Sequence, residues 1–250
     1  MPRILVTNDD GYSSPGIEAL ASALRALGDV TVVAPLTEAS AVGHALTLRR
    51  PLRIEEFGNN VYAVDGTPTD CVNIAIDEIM TQAPDIVVSG INKGLNVGDD
   101  VTYSGTVAGA FEAALLGYPG IAVSLERPES NFVPAAALAA EITRRVLEQG
   151  LPYRTFLNIN VPKGVFKGLR TTVQARRNHI TKVDRRMDPR QRPYFWIEEA
   201  QDDWAPVDRS DRQAIKDGYA SVTPLQPDLT DHKSIDLIER LTKDVVTEVR

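Results

Sequence analysis

The sequence has little cysteine and no excess of positive charge, and each of these absences excludes certain classes of function. Cys71 is the only cysteine, so no disulfide can form within the chain, and we expect a reducing compartment, the cytoplasm. The 27 Lys and Arg residues against 34 Asp and Glu residues give a formal net charge of −7. Proteins that bind the nucleic-acid backbone normally carry a basic face. We therefore expect no nucleic-acid partner, although a phosphate substrate stays compatible because a bound divalent cation supplies local positive charge.

Long apolar runs and several nucleotide-binding and catalytic motifs are also missing. No stretch approaches the roughly 20 apolar residues of a membrane span, and residues 1–6 do not resemble a signal peptide, so we expect no membrane partner. No Gly-x-Gly-x-x-Gly follows the first predicted strand and no P-loop motif occurs, which argues against nicotinamide binding and against a P-loop NTPase. A Gly-x-Ser-x-Gly elbow and zinc-type His/Cys spacing are absent as well.

What the sequence does contain is an alternation of strands and helices. Hydrophobic residues make up 43% of the chain, enough for a substantial core. Over residues 1–162, short runs that are apolar on both faces alternate with segments of helical periodicity, for example a strand over 85–89 and helices over 106–116 and 134–149. This pattern predicts an α/β fold with a doubly wound, mostly parallel sheet covered on both sides.

The composition changes after Pro162. Residues 176–192 are rich in Arg, Asp and Asn, and an aromatic run follows at 193–197. This pattern predicts a protruding C-terminal β-hairpin arm, and residues 234–246 predict a terminal amphipathic helix. We treat residues 1–250 as a single domain, in which 1–162 form the core and 163–250 add the arm, further strands and the terminal helix. The arm is a candidate for contact between subunits, and a loop covering the active site is the alternative interpretation.

Three polar loops follow predicted strands, and such loops converge on the ligand at the carboxyl ends of a doubly wound sheet. The first loop contains Asp9 and Asp10. Adjacent carboxylates repel each other unless positive charge lies between them, and carboxylate oxygens are preferred ligands of Mg²⁺. The pair Asp10-Gly11 is equally consistent with an ordinary turn.

The other two loops offer neutral oxygens and an anion site. The second loop, residues 35–44, contains Ser40 as a possible oxygen ligand, and an ordinary polar loop is the alternative interpretation. His44 is consistent with a catalyst or with a solvated or hydrogen-bonded loop histidine. The third, residues 89–100, is rich in Gly and Asn and is long for a simple connection. It leads to a predicted helix N-terminus, where N–H groups and the hydroxyls of Ser104 and Thr106 either bind an anion or only cap the helix. Together the loops predict metal-dependent hydrolysis of a phosphate monoester.

Several longer motifs support a family resemblance. They are NDDG at 8–11, GTPTDC at 66–71, SGIN at 89–92, YSGTV at 103–107, LNINVP at 157–162 and DGYASVTPL at 217–225. In content and order they resemble the SurE family of survival proteins, which are known as 5′/3′-nucleotidases. The resemblance spans nearly the whole chain and implies a Rossmann-like fold of the SurE type.

The resemblance also implies a substrate, a cofactor and a set of site residues. The implied substrates are nucleoside 5′-monophosphates, with 3′-monophosphates as further ones, and the implied assembly is a homodimer or homotetramer. The implied cofactor is one divalent metal ion per subunit, Mg²⁺ or Mn²⁺. Its implied ligands are Asp9, Asp10, Ser40 and Asn92, of which Asp9 and Asp10 are also catalytic. The implied phosphate and substrate contacts are Asn8, Gly43, His44, Asn96, Ser104, Gly105 and Thr106.

The second loop departs from the family pattern. Leu36 and Ala39 stand where the family usually has Asp and Arg, and Ala45 replaces a small hydroxyl residue. These changes favour, as an alternative, a nucleotide- or phosphate-binding regulator that does not turn over, and a short-chain polyphosphatase is a further alternative. The mechanism is open as well. Water activated beside the metal and a covalent aspartyl-phosphate are the two routes, although haloacid dehalogenase phosphatases, which use the second, have acids separated by one residue.

Overall fold

The computed structural model describes residues 1–127, 130–177, 181–199, 204–243 and 245. Within them the strands are β1 (Arg3–Thr7), β2 (Asp29–Pro35), β3 (Ile54–Glu56), β4 (Val61–Val64), β5 (Ile86–Lys93), β6 (Gly120–Leu125), β7 (Phe156–Val161), β8 (Leu169–Thr171), β9 (Thr181–Met187), β10 (Pro193–Glu199) and β11 (Ala220–Leu225). The α-helices are α1 (Pro15–Leu24), α2 (Pro68–Ile74), α3 (Gly105–Leu115), α4 (Val133–Gln149), α5 (Asp211–Lys216) and α6 (Ile235–Thr242). A π-helical turn, Ala75–Ile79, extends α2, and a 3₁₀ turn, Gly98–Thr102, precedes α3.

The main sheet has nine strands in the order β3-β4-β2-β1-β5-β6-β7-β11-β8. The strands from β4 to β7 are parallel to one another, whereas β3 and β11 pair antiparallel with β4 and β7. Counted by their own order along the chain, the six parallel strands are arranged 3-2-1-4-5-6, the order of dinucleotide-binding folds. The predicted doubly wound, mostly parallel sheet is confirmed. The strand order reverses between β1 and β5, where ligands of such folds bind.

Helices cover both faces of the sheet. Ile4 and Val6 of β1 pack in the core formed with α1 and α4, whereas Leu5 packs in the core on the opposite face, beneath α2 and α3. All three side chains are fully buried, as expected of a strand that is apolar on both faces. On the second face α3 comes unusually close, because a Cβ on Gly109 would lie only 2.8 Å from Thr7 Cγ2. This close approach directs the N-terminus of α3 towards the carboxyl end of β1.

Strand β5 extends further than the sequence predicts. We expected the strand to end at Ser89 and an irregular loop to follow, but β5 continues to Lys93 with an irregularity in its pairing with β6 between Ser89 and Asn92. The prediction was wrong for residues 90–93 because a glycine inside a strand resembles a loop. Here a Cβ on Gly90 would lie 2.5 Å from Val123 O, so glycine is what permits the close contact with β6. The later residues Gly98–Thr102 form the 3₁₀ turn.

The C-terminal part contributes both to the main sheet and to a separate hairpin. The predicted arm is confirmed as a two-stranded antiparallel sheet of β9 and β10, and β8 and β11 are further strands of this part of the chain. The terminal helix α6 is shorter than the predicted 234–246, and residues 244 and 246 lie outside the described part of the chain. Across the described residues, no helix combines the length and apolar character that crossing a bilayer requires.

Candidate active site

The predicted acidic site lies at the point where the strand order reverses. Asp9 and Asp10 follow β1 directly, and Asn92 lies near the end of β5. The two strands are hydrogen-bonded neighbours, with Thr7 aligned with Ser89. Because both strands run in the same direction, their carboxyl ends meet at one edge of the sheet, and the structure brings these predicted residues to that edge.

A tight turn shapes the first loop. The buried side chain of Asn8 donates to Gly11 O at 2.9 Å and to Ser14 Oγ at 2.8 Å, and it accepts from Gly11 N–H at 3.2 Å. Gly11 has φ +97°, a conformation that favours glycine. The turn and an acidic site therefore coexist. Asn8 uses its amide groups inside the loop, and its predicted contact with substrate stays a prediction.

The carboxylate of Asp9 is fixed against the first turn of α3. Thr106 donates its backbone N–H to Asp9 Oδ2 at 3.0 Å and its hydroxyl to Asp9 Oδ1. Asp9 is only 5% exposed. Burial raises the pKa of Asp9 and the neighbouring Asp10 raises it further, although the hydrogen bonds from Thr106 oppose the shift. The charged form therefore needs a positive partner.

Asp10 is bound more weakly by the protein. Its Oδ2 accepts one backbone N–H, from Lys93, at 3.3 Å. Burial raises the pKa of Asp10, the charge of Lys93 opposes this, and the carboxylate of Glu38 adds to the increase. Two adjacent acids that both resist ionisation form a site where a cation is stabilising.

The second loop is attached to the first through the backbone. Ala39 N–H donates to Asp9 O at 2.8 Å, and Leu36 N–H donates to a carbonyl of β4 at 2.7 Å. Two of the three departures from the family pattern, Leu36 and Ala39, therefore occur at residues held by backbone bonds, which do not depend on side-chain identity. The exposed Ser40 donates its hydroxyl to Glu38 Oε1 at 2.6 Å, and the lone pairs of its oxygen can still act as ligands.

The donor atoms at this edge fit a hard divalent cation. Asn92 donates a side-chain N–H to Gly94 O at 3.0 Å, which leaves its amide oxygen able to act as a ligand. Together with two carboxylates from Asp9 and Asp10 and the hydroxyl of Ser40, this is an all-oxygen set of the kind that Mg²⁺ and Mn²⁺ prefer. In the part of the chain that the structure describes, no cluster of three or more His, Cys, Asp or Glu residues forms a metal site, and the predicted set contains only two.

Asn96 lies in a buried amide network. Its N–H donates to Asn160 Oδ1 at 2.8 Å and its side chain donates to Ser124 Oγ at 2.8 Å. Its carbonyl accepts from Asn158 at 2.7 Å and from Asn160 at 3.0 Å. The sequence analysis did not identify these three partners. The signal in the sequence that could have identified two of them is the pair Asn158 and Asn160 in an apolar strand. Residues i and i+2 of a strand share a face, so both amides point to the same side.

The N-terminus of α3 lies directly against Asp9. Ser104 caps the helix by accepting Val107 N–H at 3.1 Å, so its hydroxyl proton remains able to donate. A Cβ on Gly105 would lie 2.8 Å from Asp9 Cβ and 3.0 Å from Asp9 Oδ2. Helix N-termini favour anions through their free N–H groups and the helix dipole. The predicted residues Ser104, Gly105 and Thr106 thus adjoin the acidic pair, with Thr106 committed to Asp9.

Gly43 and His44 attach the second loop to α3 and to the residue before its cap. Gly43 N–H donates to Tyr103 O at 3.0 Å. His44 Nε2 lies 2.5 Å from Glu112 Oε2, and Asn73 donates to the other oxygen of Glu112 at 2.7 Å. Burial raises the pKa of Glu112, but the hydrogen bonds from His44 and Asn73 outweigh it, and the pKa is lowered overall. His44 is therefore anchored rather than solvated, and its predicted contact with substrate stays a prediction.

Comparisons with known proteins agree with this architecture. The sequence profile of the family described as Survival protein SurE matches residues 4–181. The chain is 51% identical over 240 residues to a protein of Syntrophotalea carbinolica named 5′-nucleotidase SurE, which covers 95% of this chain and 96% of that protein. It is 52% identical over 242 residues to a protein of the same name from Geobacter sulfurreducens, covering 95% and 92% respectively.

A solved structure shows the same fold. The crystal structure of the SurE protein from Aquifex aeolicus matches with a TM-score of 0.87 and 43% sequence identity, covering 96% of this chain and 99% of that chain. The profile match, the two relatives and this structural match all extend over most of the chain. The chain therefore belongs to the SurE family.

Proposed function

We propose that the protein hydrolyses nucleoside 5′-monophosphates to the nucleoside and phosphate, with 3′-monophosphates as further substrates. The reaction depends on one divalent cation per subunit, Mg²⁺ or Mn²⁺, held by Asp9, Asp10, Ser40 and Asn92. Two relatives that carry the name 5′-nucleotidase SurE are 51% and 52% identical to this chain, and each alignment covers over 90% of the relative's length. Their name supports the substrate class.

The observation that carries the proposal is the contact between Asp9 and Thr106, 3.0 Å from N–H to Oδ2. This bond joins a cation-binding acid to an anion-binding helix N-terminus. A phosphate ester beside a divalent cation needs both, since the cation and the helix N–H groups each neutralise part of its charge. A phosphate-binding regulator would need only the anion site, so the acidic pair of the buried Asp9 and the half-buried Asp10 favours turnover.

The hydrogen bonds of the site residues suggest a different role for each. Asp9, with both oxygens bonded to Thr106, is fixed in place. Asp10 has one long bond, of 3.3 Å, and is the freer of the two to accept a proton from the attacking water. Ser104 and Gly105 N–H, with Asn96, hold the phosphate oxygens. A bound divalent cation would act as a Lewis acid on the phosphoryl group.

A nucleotide panel tests this function. We expect phosphate release from nucleoside 5′-monophosphates with Mg²⁺ or Mn²⁺. A chelator should abolish this activity and added Mg²⁺ or Mn²⁺ should restore it, because the acids cannot polarise the ester by themselves. The panel includes 3′-monophosphates and short polyphosphates. No release from any nucleotide despite measurable binding would instead identify a regulator, and release from polyphosphate alone would identify a polyphosphatase.

We also propose that the chain assembles as a homodimer or homotetramer through the arm. Six apolar side chains of the arm are 41% to 74% exposed; they are Val183, Met187, Tyr194, Phe195, Trp196 and Ile197. Replacing residues 178–203 by a short Gly-Ser turn should reduce the mass in light scattering to that of the monomer. The ends to be joined are close, because Arg177 and Trp204 form a β-bridge.

A second variant separates the two interpretations of the arm. Phe195→Ser with Ile197→Ser keeps the hairpin but removes apolar surface, and it should weaken assembly in the same direction. An unchanged mass together with an altered KM would contradict the assembly role and support a loop that covers the site.

We further propose that residues 1–250 act as one domain and that the protein is cytoplasmic. The single, buried Cys71 supports the cytoplasmic location.

A further inference from the structure

The turn Gly98–Thr102 connects two of the proposed phosphate contacts. Asn96 precedes it and Ser104, the cap of α3, follows it. Gly98 has φ +57°, and backbone bonds close both ends of the turn, from Asp100 N–H to Val97 O at 3.2 Å and from Tyr103 N–H to Asp100 O at 3.1 Å. Such a short 3₁₀ turn has little stability by itself, so its position must be fixed from outside.

Both backbone groups of Gly98 bond to the C-terminal part of the chain. Gly98 N–H donates to Asp211 Oδ2 at 2.9 Å, and Gln174 Nε2 donates to Gly98 O at 2.9 Å. The packing is equally close, because a Cβ at this position would lie 2.5 Å from Trp204 Cζ3 and 2.8 Å from Ala175 O. Gly98 therefore rests directly on the segment that surrounds the base of the arm.

Asp211 ties these segments together. It is fully buried, and besides Gly98 N–H it accepts Ala175 N–H at 3.0 Å and Arg212 N–H at 2.7 Å. A buried carboxylate with several backbone donors fixes its partners strongly, since each bond is charge-assisted and shielded from water. The bond to Gly98 spans 113 residues of sequence.

Arg177 holds the two residues that follow Gly98. Its backbone N–H donates to Asp99 Oδ2 at 2.7 Å, and its guanidinium pairs with the carboxylate of Asp100 at 2.9 Å. The guanidinium also lies 4.7 Å from the ring centroid of Trp204. The turn is thus held along its length by residues that neither bind a cation nor lie near the acidic pair in sequence.

We propose that Gln174, Arg177 and Asp211 form a C-terminal latch that positions the Gly98–Thr102 turn and, through it, the phosphate contacts of Asn96 and Ser104. The C-terminal latch rests on the proposed function for its effect on phosphate, but it assigns positioning residues that the acidic site does not include. None of the three belongs to the proposed metal ligands or phosphate contacts. Loss of the latch should therefore weaken binding of nucleotide and of inorganic phosphate more than it slows the chemical step.

The test compares two arginines of the full-length protein. Arg177→Gln removes the ion pair with Asp100 and the contact with Trp204. The matched control is Arg170→Gln, because Arg170 also pairs with an acid, Asp217, at 2.5 Å and lies 3.8 Å over the ring of Tyr219. We expect R177Q to raise KM and the inhibition constant of inorganic phosphate about 5- to 10-fold with kcat changed less than about 3-fold, whereas R170Q changes none of the three. Arg177→Lys should restore part of the affinity.

Amide hydrogen exchange gives a readout that does not need activity. Exchange in a peptide covering residues 96–104 should become faster in R177Q, and more so in Asp211→Asn, but stay unchanged in R170Q. Parental exchange and parental KM in R177Q, or an equal rise of KM in R170Q, would overturn the C-terminal latch. Failure of the proposed function looks different, because the parent protein would then release no phosphate from any nucleotide while the exchange difference remained.

Discussion

Asp10→Asn removes nearly all phosphatase activity and leaves the protein at least as stable as the parent. The amide has the shape of the carboxylate but lacks the charge that holds a divalent cation. We expect kcat/KM to fall by about 100-fold or more, which corresponds to a loss of roughly 3 kcal/mol in transition-state stabilisation. The measurement is phosphate release from a nucleoside monophosphate with saturating Mg²⁺ or Mn²⁺.

The effect on stability has the opposite sign, and it separates a functional acid from a structural one. Burial raises the pKa of Asp10, so without a cation its charge destabilises the folded state at neutral pH. D10N should therefore melt at or above the temperature of the parent in a chelator, and Mg²⁺ should raise the Tm of the parent but not of D10N. Full activity of D10N with excess metal would contradict the assignment.

A matched control lies at the other end of the same strands. Asp85 precedes β5, accepts Arg3 N–H at 2.7 Å and pairs with its guanidinium at 2.9 Å. The hydrogen bond from the Arg3 side chain holds the pKa of Asp85 below its usual value. This contribution to stability is present above the unfolded pKa and is lost as the pH falls through the folded pKa. Asp85→Asn should therefore lower the Tm at neutral pH and keep full activity.

Gly105→Ala should inactivate the protein through one methyl group. The added Cβ would lie 2.8 Å from Asp9 Cβ, 3.0 Å from Asp9 Oδ2 and 3.3 Å from Ala39 O. Thr106 binds Asp9 from the same helix turn, so the acid cannot move without losing these bonds. We expect displacement of Asp9 from its position relative to the helix and a fall of kcat/KM by roughly 100-fold.

The control for G105A is a second glycine of α3. A Cβ on Gly109 would lie 2.8 Å from Thr7 Cγ2 and 2.9 Å from Ser89 Oγ, which is as close a contact but with the strands rather than with the acidic site. Both alanine variants should lose about 1–3 kcal/mol of stability through overpacking. Only G105A should lose most of its activity. Equal losses of activity in the two variants would show that the methyl group disturbs the position of α3 rather than Asp9.

The sequence predicted that Asp9, Asp10 and Asn92 lie together, because a general rule of parallel sheets applies to them. Asp9 and Asp10 follow an apolar strand, and Asn92 belongs to the glycine-containing segment after another. The carboxyl ends of such strands meet at one edge, and β1 and β5 turned out to be neighbours. Ser104 was predictable as a cap because its side chain acts within its own helix turn.

The supporting contacts were not predictable in the same way. The bond between Gly98 and Asp211 spans 113 residues and that between His44 and Glu112 spans 68, and single polar residues leave no periodic pattern that pairs them. The short edge strands β3 and β8 contain three residues each, too few to show alternation. The prediction ended strand β5 too early because residues 89–93 have the composition of a loop. The sequence does not show that Gly90 lies close to Val123 of the neighbouring strand β6.

The position of β11 in the sheet has a consequence for how the protein is made. β11 pairs antiparallel along β7 from Ser221 with Asn160 to Leu225 with Phe156, so it covers an edge of a strand whose residues are almost all buried. Until the ribosome has released residue 225, β7 presents that edge, with its unpaired N–H and C=O groups, to any other nascent chain. Exposed edges of apolar strands recruit further strands. Interrupted translation between β7 and β11 should therefore yield aggregates rather than a smaller soluble protein.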